Sequence, residues 1–240
     1  MAQVLIHVPQ MQASGLKRPI QLVLSYDKKA GCTGVIPMVH ALAKDIPKAK
    51  ICIVGEPSLM KVVTGHKGPI GYLTQVHGLE VHSSLIHKGA SAIMNAVRLI
   101  EWHRKTPAAN AAVANPDAPC EQPYTTLHVG KIRGESHAGR DARYRAFAAQ
   151  HWQQRCSRPI RDTGVEIKVN INVPALEQET KGAAEQLCSR LTGDNSTHVV
   201  SYQTEAGHFQ RAGFSTAICG PGSIEQTLQP NEFVTRKHFD

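Results

Sequence analysis

The stretch Ser25-Tyr26-Asp27-Lys28-Lys29-Ala30-Gly31-Cys32 directly follows a continuous apolar run at residues 20–24. Apolar runs of this length are typical of strands buried in a mostly parallel sheet. An amphipathic helical pattern at residues 34–44 and a second apolar run, Ile51–Val54, come next. A strand, a helix and a strand in this order predict a parallel βαβ unit. The fold is therefore expected to be α/β, with the quoted stretch at the end of a strand, where such sheets bind ligands.

The composition predicts a soluble globular protein with a sizeable core. The chain has 240 residues, of which 41% are hydrophobic and 19% are charged. Its apolar runs are all well short of the ~20 residues that a membrane-spanning helix requires. The first residues do not combine a basic segment with an apolar core, which is the pattern of a secretory signal. We therefore expect a cytoplasmic protein without a membrane partner.

Cysteine usage and charge give two further expectations. The six cysteines are scattered singly, which favours reduced, mostly buried thiols over a disulfide framework. The net charge of +8 is concentrated in residues 131–161, which contain eight Lys or Arg and only two acidic residues, Glu135 and Asp141. Clustered arginines can bind phosphate groups, but no recognition-helix or aromatic stacking pattern accompanies them. The segment is predicted to be a solvated loop, and a nucleic-acid-associated module is kept only as an alternative.

The middle of the chain predicts a second, smaller domain. A short strand ending at Gly78, a helix at 90–105, a Pro-, Ala- and Asn-rich loop at 106–123 and a strand at 125–129 follow one another. Residues 134–161 have no period, and a strand pattern returns at 165–173. This order predicts an α+β lid at 65–173, with an aberrant part at 134–161, inserted into a larger domain made of 1–64 and 174–240. Further elements are predicted as helices at 4–11 and 180–191 and strands at 198–202 and 216–219.

Several short motifs occur in an order that resembles one known family. They are Ser25-Tyr26-Asp27, Gly55-Glu56-Pro57, Lys61-Val62-Val63-Thr64-Gly65-His66-Lys67-Gly68, Pro123-Tyr124-Thr125-Thr126-Leu127, Thr204-Glu205-Ala206-Gly207 and Cys219-Gly220-Pro221-Gly222-Ser223-Ile224. Each is weak alone, but together they resemble the acetylornithine deacetylase branch of the zinc aminoacylase and carboxypeptidase family. The likeness covers residues 16–133 and resumes at about 164–232.

The resemblance implies a two-domain enzyme. The family has a zinc-peptidase-like catalytic domain with two zinc ions and an inserted ferredoxin-like lid that also forms a homodimer. It hydrolyses N-acetyl amino acids, with N-acetyl-L-ornithine of arginine biosynthesis as the substrate of this branch. A metal-bound water is the nucleophile and a glutamate is the general base.

This chain departs from the family at the metal site. The family's H-x-D and C-D-M-K motifs would lie before residue 1, so the catalytic domain is expected to be truncated. Lys28 occupies the general-base position, Lys29 a bridging-ligand position and Leu228 the final histidine position, whereas Glu56 keeps the family's acid. A protonated lysine has donors but no lone pair, and zinc requires lone pairs. Lys29 and Leu228 are therefore not expected to bind zinc, and the chain is expected to be a catalytically impaired pseudoenzyme.

The remaining site candidates also come from the resemblance. His82 matches the lid histidine that polarises the scissile carbonyl. Glu205, Gly220, Gly222 and Glu232 match positions that line the substrate pocket. Read without the family, His82 is interpreted as a surface histidine and the glycines as ordinary turn residues. Two main hypotheses follow: an impaired amide hydrolase, or a non-catalytic dimerising or ligand-binding protein that uses the lid.

Overall fold

A computed structural model describes residues 2–45, 49–134, 142–148, 164–227 and 229–236. The chain divides into a first unit, formed by Met1–Gly65, Leu176–His198 and Thr204–Asp240, and a second unit, formed by His66–Ala175 and Val199–Gln203. The helices are α1 (Ala2–Ala13), α2 (Val35–Asp45), α3 (Ala92–Ala112), α4 (Ala183–Thr192) and α5 (Ala206–Arg211). The strands are β1 (Ile51–Val54), β2 (Val63–His66), β3 (Ile70–Val76), β4 (Leu127–Ile132), β5 (Ala142–Ala148), β6 (Val165–Asn172), β7 (His198–Val200) and β8 (Ser215–Ile218).

The first unit is built on a mixed sheet. Strands β1, β8 and β2 lie side by side in it in this order, with β1 and β8 parallel and β2 antiparallel to β8. The hydrophobic core of this unit contains Val62, Ala184, Cys188 and Ala217, which are all at most 2% exposed. Because β1 and β8 run in parallel, the loops that follow them leave the same edge of the sheet. These loops carry Glu56 and Gly220.

The second unit is an α+β domain. Its four-stranded sheet has the order β4-β5-β3-β6, and all three strand pairs are antiparallel. Helix α3 starts where Ser91 Oγ accepts a hydrogen bond from Met94 N at 3.2 Å, and its Leu99 packs with Val129 of β4. The sheet, with a helix between its first two strands, confirms the predicted ferredoxin-like lid architecture. None of the helices within the described ranges is both long and apolar enough to cross a membrane.

One strand prediction is wrong. Helices α1, α2 and α4 and strands β1, β6 and β8 form where the sequence predicts them, but residues 20–24 form no strand. Their side chains are largely exposed, with Ile20 at 53% and Leu24 at 60%. An apolar run becomes a buried strand only where a neighbouring strand supplies backbone hydrogen bonds, and no described strand pairs with this run. The predicted βαβ unit therefore lacks its first strand.

Two loop predictions are also wrong. Helix α3 continues through Pro107 to Ala112, and Thr106 Oγ1 donates a hydrogen bond to the Trp102 carbonyl at 2.8 Å. The basic segment contains β5, which lies between β3 and β4 and pairs with both. Pairing with a strand on each side satisfies the backbone hydrogen bonds of β5 whatever its side-chain pattern. Strand propensity in the sequence therefore does not predict this strand. Residues 135–141 and 149–163 of this segment lie outside the described residues.

Candidate functional site

Residues 25–32 form a tight loop in the first unit. Lys28–Ala30 forms one 3₁₀ turn between Asp27 and Gly31, both left-handed, with φ values of 55° and 95°. A Cβ atom at Gly34 would collide with the Tyr26 carbonyl oxygen, so only glycine permits the chain to fold back so closely. This local backbone arrangement determines where Ser25 and Lys28 can place their side chains.

Lys28 forms an ion pair with Glu56. Lys28 Nζ lies 3.0 Å from Glu56 Oε2, and the two side chains are 26% and 18% exposed. At that distance the contact is a charge-assisted hydrogen bond, which is stronger than one between neutral groups. The ammonium group thus neutralises the one carboxylate that matches a family metal ligand.

Glu205 is the most buried acid near this pair. It directly precedes α5 and is 7% exposed; its Oε2 atom accepts a hydrogen bond from Ser25 Oγ at 2.6 Å. Burial raises the pKa of Glu205, and the charge of Glu56 raises it further, whereas Ser25 and Lys28 lower it. The other carboxylate oxygen, Oε1, is buried and has no hydrogen-bond partner among the described residues. We refer to Ser25, Lys28, Glu56 and Glu205 as the acid–lysine cluster.

Two cysteine thiols lie close enough to the acid–lysine cluster for its charges to change their pKa values. Burial, followed by the charge of Glu205, raises the pKa of Cys32 to about 11 and that of Cys52 to about 12. A nucleophilic cysteine must be ionised near neutral pH, which requires a lowered pKa. The raised pKa values favour the neutral thiols, so Cys32 and Cys52 are not candidate nucleophiles.

A glycine loop after β8 packs against the backbone of Glu56. A Cβ atom at Gly220 would lie 2.7 Å from the Glu56 carbonyl oxygen. Ser58 N and Met60 N both donate to the Gly220 carbonyl, at 3.2 and 2.9 Å, and Gly220 N donates to Ser58 Oγ at 3.1 Å. Gly222 has a φ of 86°, which only glycine adopts readily. The two glycines thus hold the turn that carries Glu56.

The other predicted site residues lie elsewhere or outside the described residues. His82 is an exposed residue of the second unit, where its Nδ1 atom accepts a hydrogen bond from Ser84 N at 3.3 Å and caps the turn Ser83–Lys88. Glu232 is exposed. The Lys29 side chain and Leu228 lie outside what the structure describes. The cluster therefore unites Lys28, Glu56 and Glu205 from the predicted set.

The cluster does not fit a zinc ion. Within the described ranges, no group of three or more His, Cys, Asp or Glu side chains is arranged to hold a metal. Glu56 Oε2 faces the Lys28 ammonium, and a cation placed there would be repelled by that charge. Zinc sites need three or four lone-pair ligands. The donor chemistry of the described residues is therefore at odds with the two-zinc site that the family resemblance implies.

Comparisons with known proteins agree with the architecture. Residues 64–146 match the peptidase dimerisation domain. Acetylornithine deacetylase of Myxococcus xanthus is 27% identical over 93% of this chain and 62% of its own length, and that of Erwinia tasmaniensis is 28% identical over 93% and 61%. The chain thus spans about 62% of the length of the curated relatives it matches.

Solved structures support the same fold. A di-peptidase from Saccharomyces cerevisiae matches 99% of this chain and 66% of its own, with a TM-score of 0.65 and 10% identity. A tripeptidase from Staphylococcus aureus matches 92% and 61%, with a TM-score of 0.57 and 17% identity. At these identities the likeness shows the fold alone.

The fold, with a domain that matches the peptidase dimerisation domain, is peptidase-like. In sequence the chain is similar to acetylornithine deacetylases.

Sequence reasoning did not identify every residue of the cluster. Ser25 belongs to a family-like motif, but its hydrogen bond to Glu205 joins residues 180 positions apart. Helix α5, which follows Glu205, and strand β2 were also missed. The only available signal was that both partners belong to family-like motifs, which predicts proximity but not a particular hydrogen bond.

Proposed function

We propose that this chain carries the amide-hydrolase architecture of its family but does not hydrolyse N-acetyl amino acids itself. The observation that supports the proposal is the 3.0 Å ion pair between Lys28 and Glu56. Amide hydrolysis needs a base that takes a proton from the attacking water. A protonated lysine has no lone pair to accept that proton, and it also binds the neighbouring carboxylate.

The cluster offers no better base. Glu205 is 7% exposed, and Ser25 already donates to one of its oxygens. Its other oxygen, Oε1, is also buried, so a water molecule has little access to either oxygen. The charged groups could orient a polar ligand, and the names of the relatives suggest an N-acetyl amino acid as its class. Ligand binding without turnover is consistent with this arrangement.

We expect the purified chain to release no acetate from N-acetyl-L-ornithine above the rate of buffer, with or without added zinc. The measurement is acetate or free-amine release over hours. An active acetylornithine deacetylase run in parallel shows that the assay detects turnover. Hydrolysis by the chain that scales with its concentration would contradict the proposal.

Restoring two acids is not expected to restore activity. In the double variant Lys28→Glu, Lys29→Glu, carboxylates replace the lysines, but Leu228 still occupies the position of the family's final histidine ligand. Acetate release should stay at background with zinc present. The charge-retaining Lys28→Arg variant serves as the matched control. Turnover in the double variant alone would show that missing ligands come from elsewhere and that the lysines are what blocks catalysis.

A second candidate function is dimerisation through the second unit. We infer it from the match of residues 64–146 to a dimerisation domain and from the exposed apolar side chains of α3. Ile93, Met94 and Val97 on this helix are 46%, 66% and 50% exposed. Exposed apolar residues clustered on one helix are typical of a protein–protein contact.

Light scattering after size exclusion tests this candidate. We expect a species with twice the mass of one chain, and we expect Met94→Lys together with Val97→Lys to shift it to the monomer. The control Leu191→Lys alters a residue of the first unit that is 72% exposed, and it should remain dimeric. A wild-type chain that is monomeric at every concentration would exclude this function.

A further inference from the structure

The sheet of the second unit has all the charged residues of its strands on one face. They are Lys131 of β4, Arg143 and Arg145 of β5, and Glu166 and Lys168 of β6. Arg145 stands directly opposite Lys131 on one side and Leu73 on the other. Leu73 in turn stands opposite Lys168, and Gln75 stands opposite both Arg143 and Glu166. Directly opposite residues share a face, as do alternate residues of one strand, so the five charged residues lie on the same face.

Helix α3 lies on the other side of this sheet. Its Leu99 packs against Val129 of β4. Val76 of β3, which follows Gln75 and therefore lies on the face away from the charged residues, is 2% exposed. On the charged face, Lys131 is exposed and the Lys168 side chain is 67% exposed. The charged face is therefore the side of the sheet that meets solvent.

This face has a surplus of positive charge. Glu166 lies 4.0 Å from Lys168 and offsets its charge, so Lys131, Arg143 and Arg145 make up the surplus. Positions 143 and 145 are about 7 Å apart along β5, and the neighbouring strand with Lys131 is about 4.8 Å away. Cations at these spacings can each meet a different phosphate of one nucleic-acid strand.

An aromatic residue shares the face with these cations. Phe147 follows Arg145 by two residues on β5 and stands opposite Gly71 of β3 and His128 of β4. Single-stranded nucleic acids bind across the open face of other four-stranded sheets, where bases stack on aromatic side chains and cations pair with phosphates. The order Arg143, Arg145, Phe147 forms such a pattern because β5 is a central strand of the sheet.

We propose that the solvent face of this sheet binds single-stranded nucleic acid through Lys131, Arg143, Arg145 and Phe147. The three cations pair with successive phosphates, and one base stacks on Phe147. Phosphates and the flat faces of bases occur in every sequence, so we expect little sequence preference. The proposal does not depend on the acid–lysine cluster, which belongs to the first unit.

Fluorescence anisotropy of a labelled oligouridine RNA titrated with the full chain tests the proposal. Between about 50 and about 200 mM KCl, we expect the logarithm of the association constant to fall against the logarithm of the salt concentration with a slope of about −2 or steeper, because each neutralised phosphate contributes about −0.7. The double variant Arg143→Ala, Arg145→Ala should weaken binding by about tenfold or more and make the slope shallower by about 1.4.

The matched control removes two cations from the other side of the same unit. Arg104 and Lys105 lie on α3, and their side chains are 70% and 67% exposed. The double variant Arg104→Ala, Lys105→Ala makes the same change in net charge, so it should keep the affinity within about twofold and leave the slope unchanged. Equal losses in the two double variants would show that net charge alone attracts the RNA, and the proposed face would be refuted.

Single variants keep the test decisive if the double variant of β5 fails to fold, which circular dichroism reveals. Lys131→Ala changes an exposed residue and should make the slope shallower by about 0.7. Phe147→Leu should weaken binding by about fivefold or more without changing the slope, whereas Phe147→Tyr should retain binding because it keeps the ring. Absence of binding at about 50 mM KCl would overturn the proposal. Binding of duplex DNA or heparin as tight as that of the RNA would overturn it too, because it would indicate a general polyanion surface.

Discussion

Lys28→Glu is expected to lower the free energy of unfolding by about 2–4 kcal/mol at neutral pH. The change removes the cation that lies 3.0 Å from Glu56 and places a third carboxylate beside Glu56 and Glu205. Both partners of the ion pair are less than one-third exposed, so solvent screens the lost attraction and the new repulsion only in part. Chemical denaturation monitored by circular dichroism gives the free energy.

The loss should depend on pH in a defined direction. Lys28 lowers the pKa of Glu205 in the native chain, so replacing it with an acid raises that pKa further. A carboxyl with a raised pKa binds its proton more tightly in the folded state, so its contribution to stability falls as pH rises through that pKa. The variant should therefore recover part of its deficit as the pH is lowered toward about 4.

Two controls identify the ion pair as the cause. Lys61→Glu makes the same charge change at an exposed lysine of the same unit and should alter stability by about 0.5 kcal/mol or less. Lys28→Arg keeps the positive charge, so it should lower the free energy of unfolding less than Lys28→Glu does. Equal effects of Lys28→Glu and Lys61→Glu would show that the contact with Glu56 contributes nothing.

Gly220→Ala is expected to destabilise the first unit by about 1–3 kcal/mol. A Cβ atom there would lie 2.7 Å from the Glu56 carbonyl oxygen, 3.2 Å from its nitrogen and 3.3 Å from its carbonyl carbon. All three contacts are with backbone, which cannot rotate away as a long side chain can. The turn that carries Glu56 must therefore shift, and the hydrogen bonds from Ser58 and Met60 to Gly220 weaken with it.

Gly55→Ala provides a close comparison because Gly55 precedes Glu56 in the same turn. A Cβ atom at Gly55 would meet nothing within 4 Å, so the variant should be nearly neutral or slightly more stable. Parallel thermal and denaturant unfolding of the two variants measures the difference. If Gly220→Ala were as stable as Gly55→Ala, the close packing of the glycine loop on Glu56 would be refuted.

Several elements could be predicted because their signals are local. Helix α2 and strand β1 have apolar residues at the spacing of their secondary structure, and each forms within a residue of its predicted bounds. The lid was predicted from the order of such elements. Residues 20–24 and β5 show the limit of this reasoning. Residues 20–24 have the apolar composition of a strand, but no described strand pairs with them. Strand β5 pairs with two neighbouring strands, although its sequence lacks the pattern expected of a strand.

The sequence by itself determined the family resemblance, the α/β class and the substitution of lysine for acid at position 28. These are properties of residue identity and short spacing, which do not require distant parts of the chain to meet. Only the tertiary structure decided that Lys28 binds Glu56 and that Ser25 binds Glu205 across 180 positions. Such contacts depend on which strand ends share an edge of the sheet and how far each side chain reaches. The sequence thus predicts a functional site at residues 25–32, whereas packing determined that Lys28 neutralises Glu56 there.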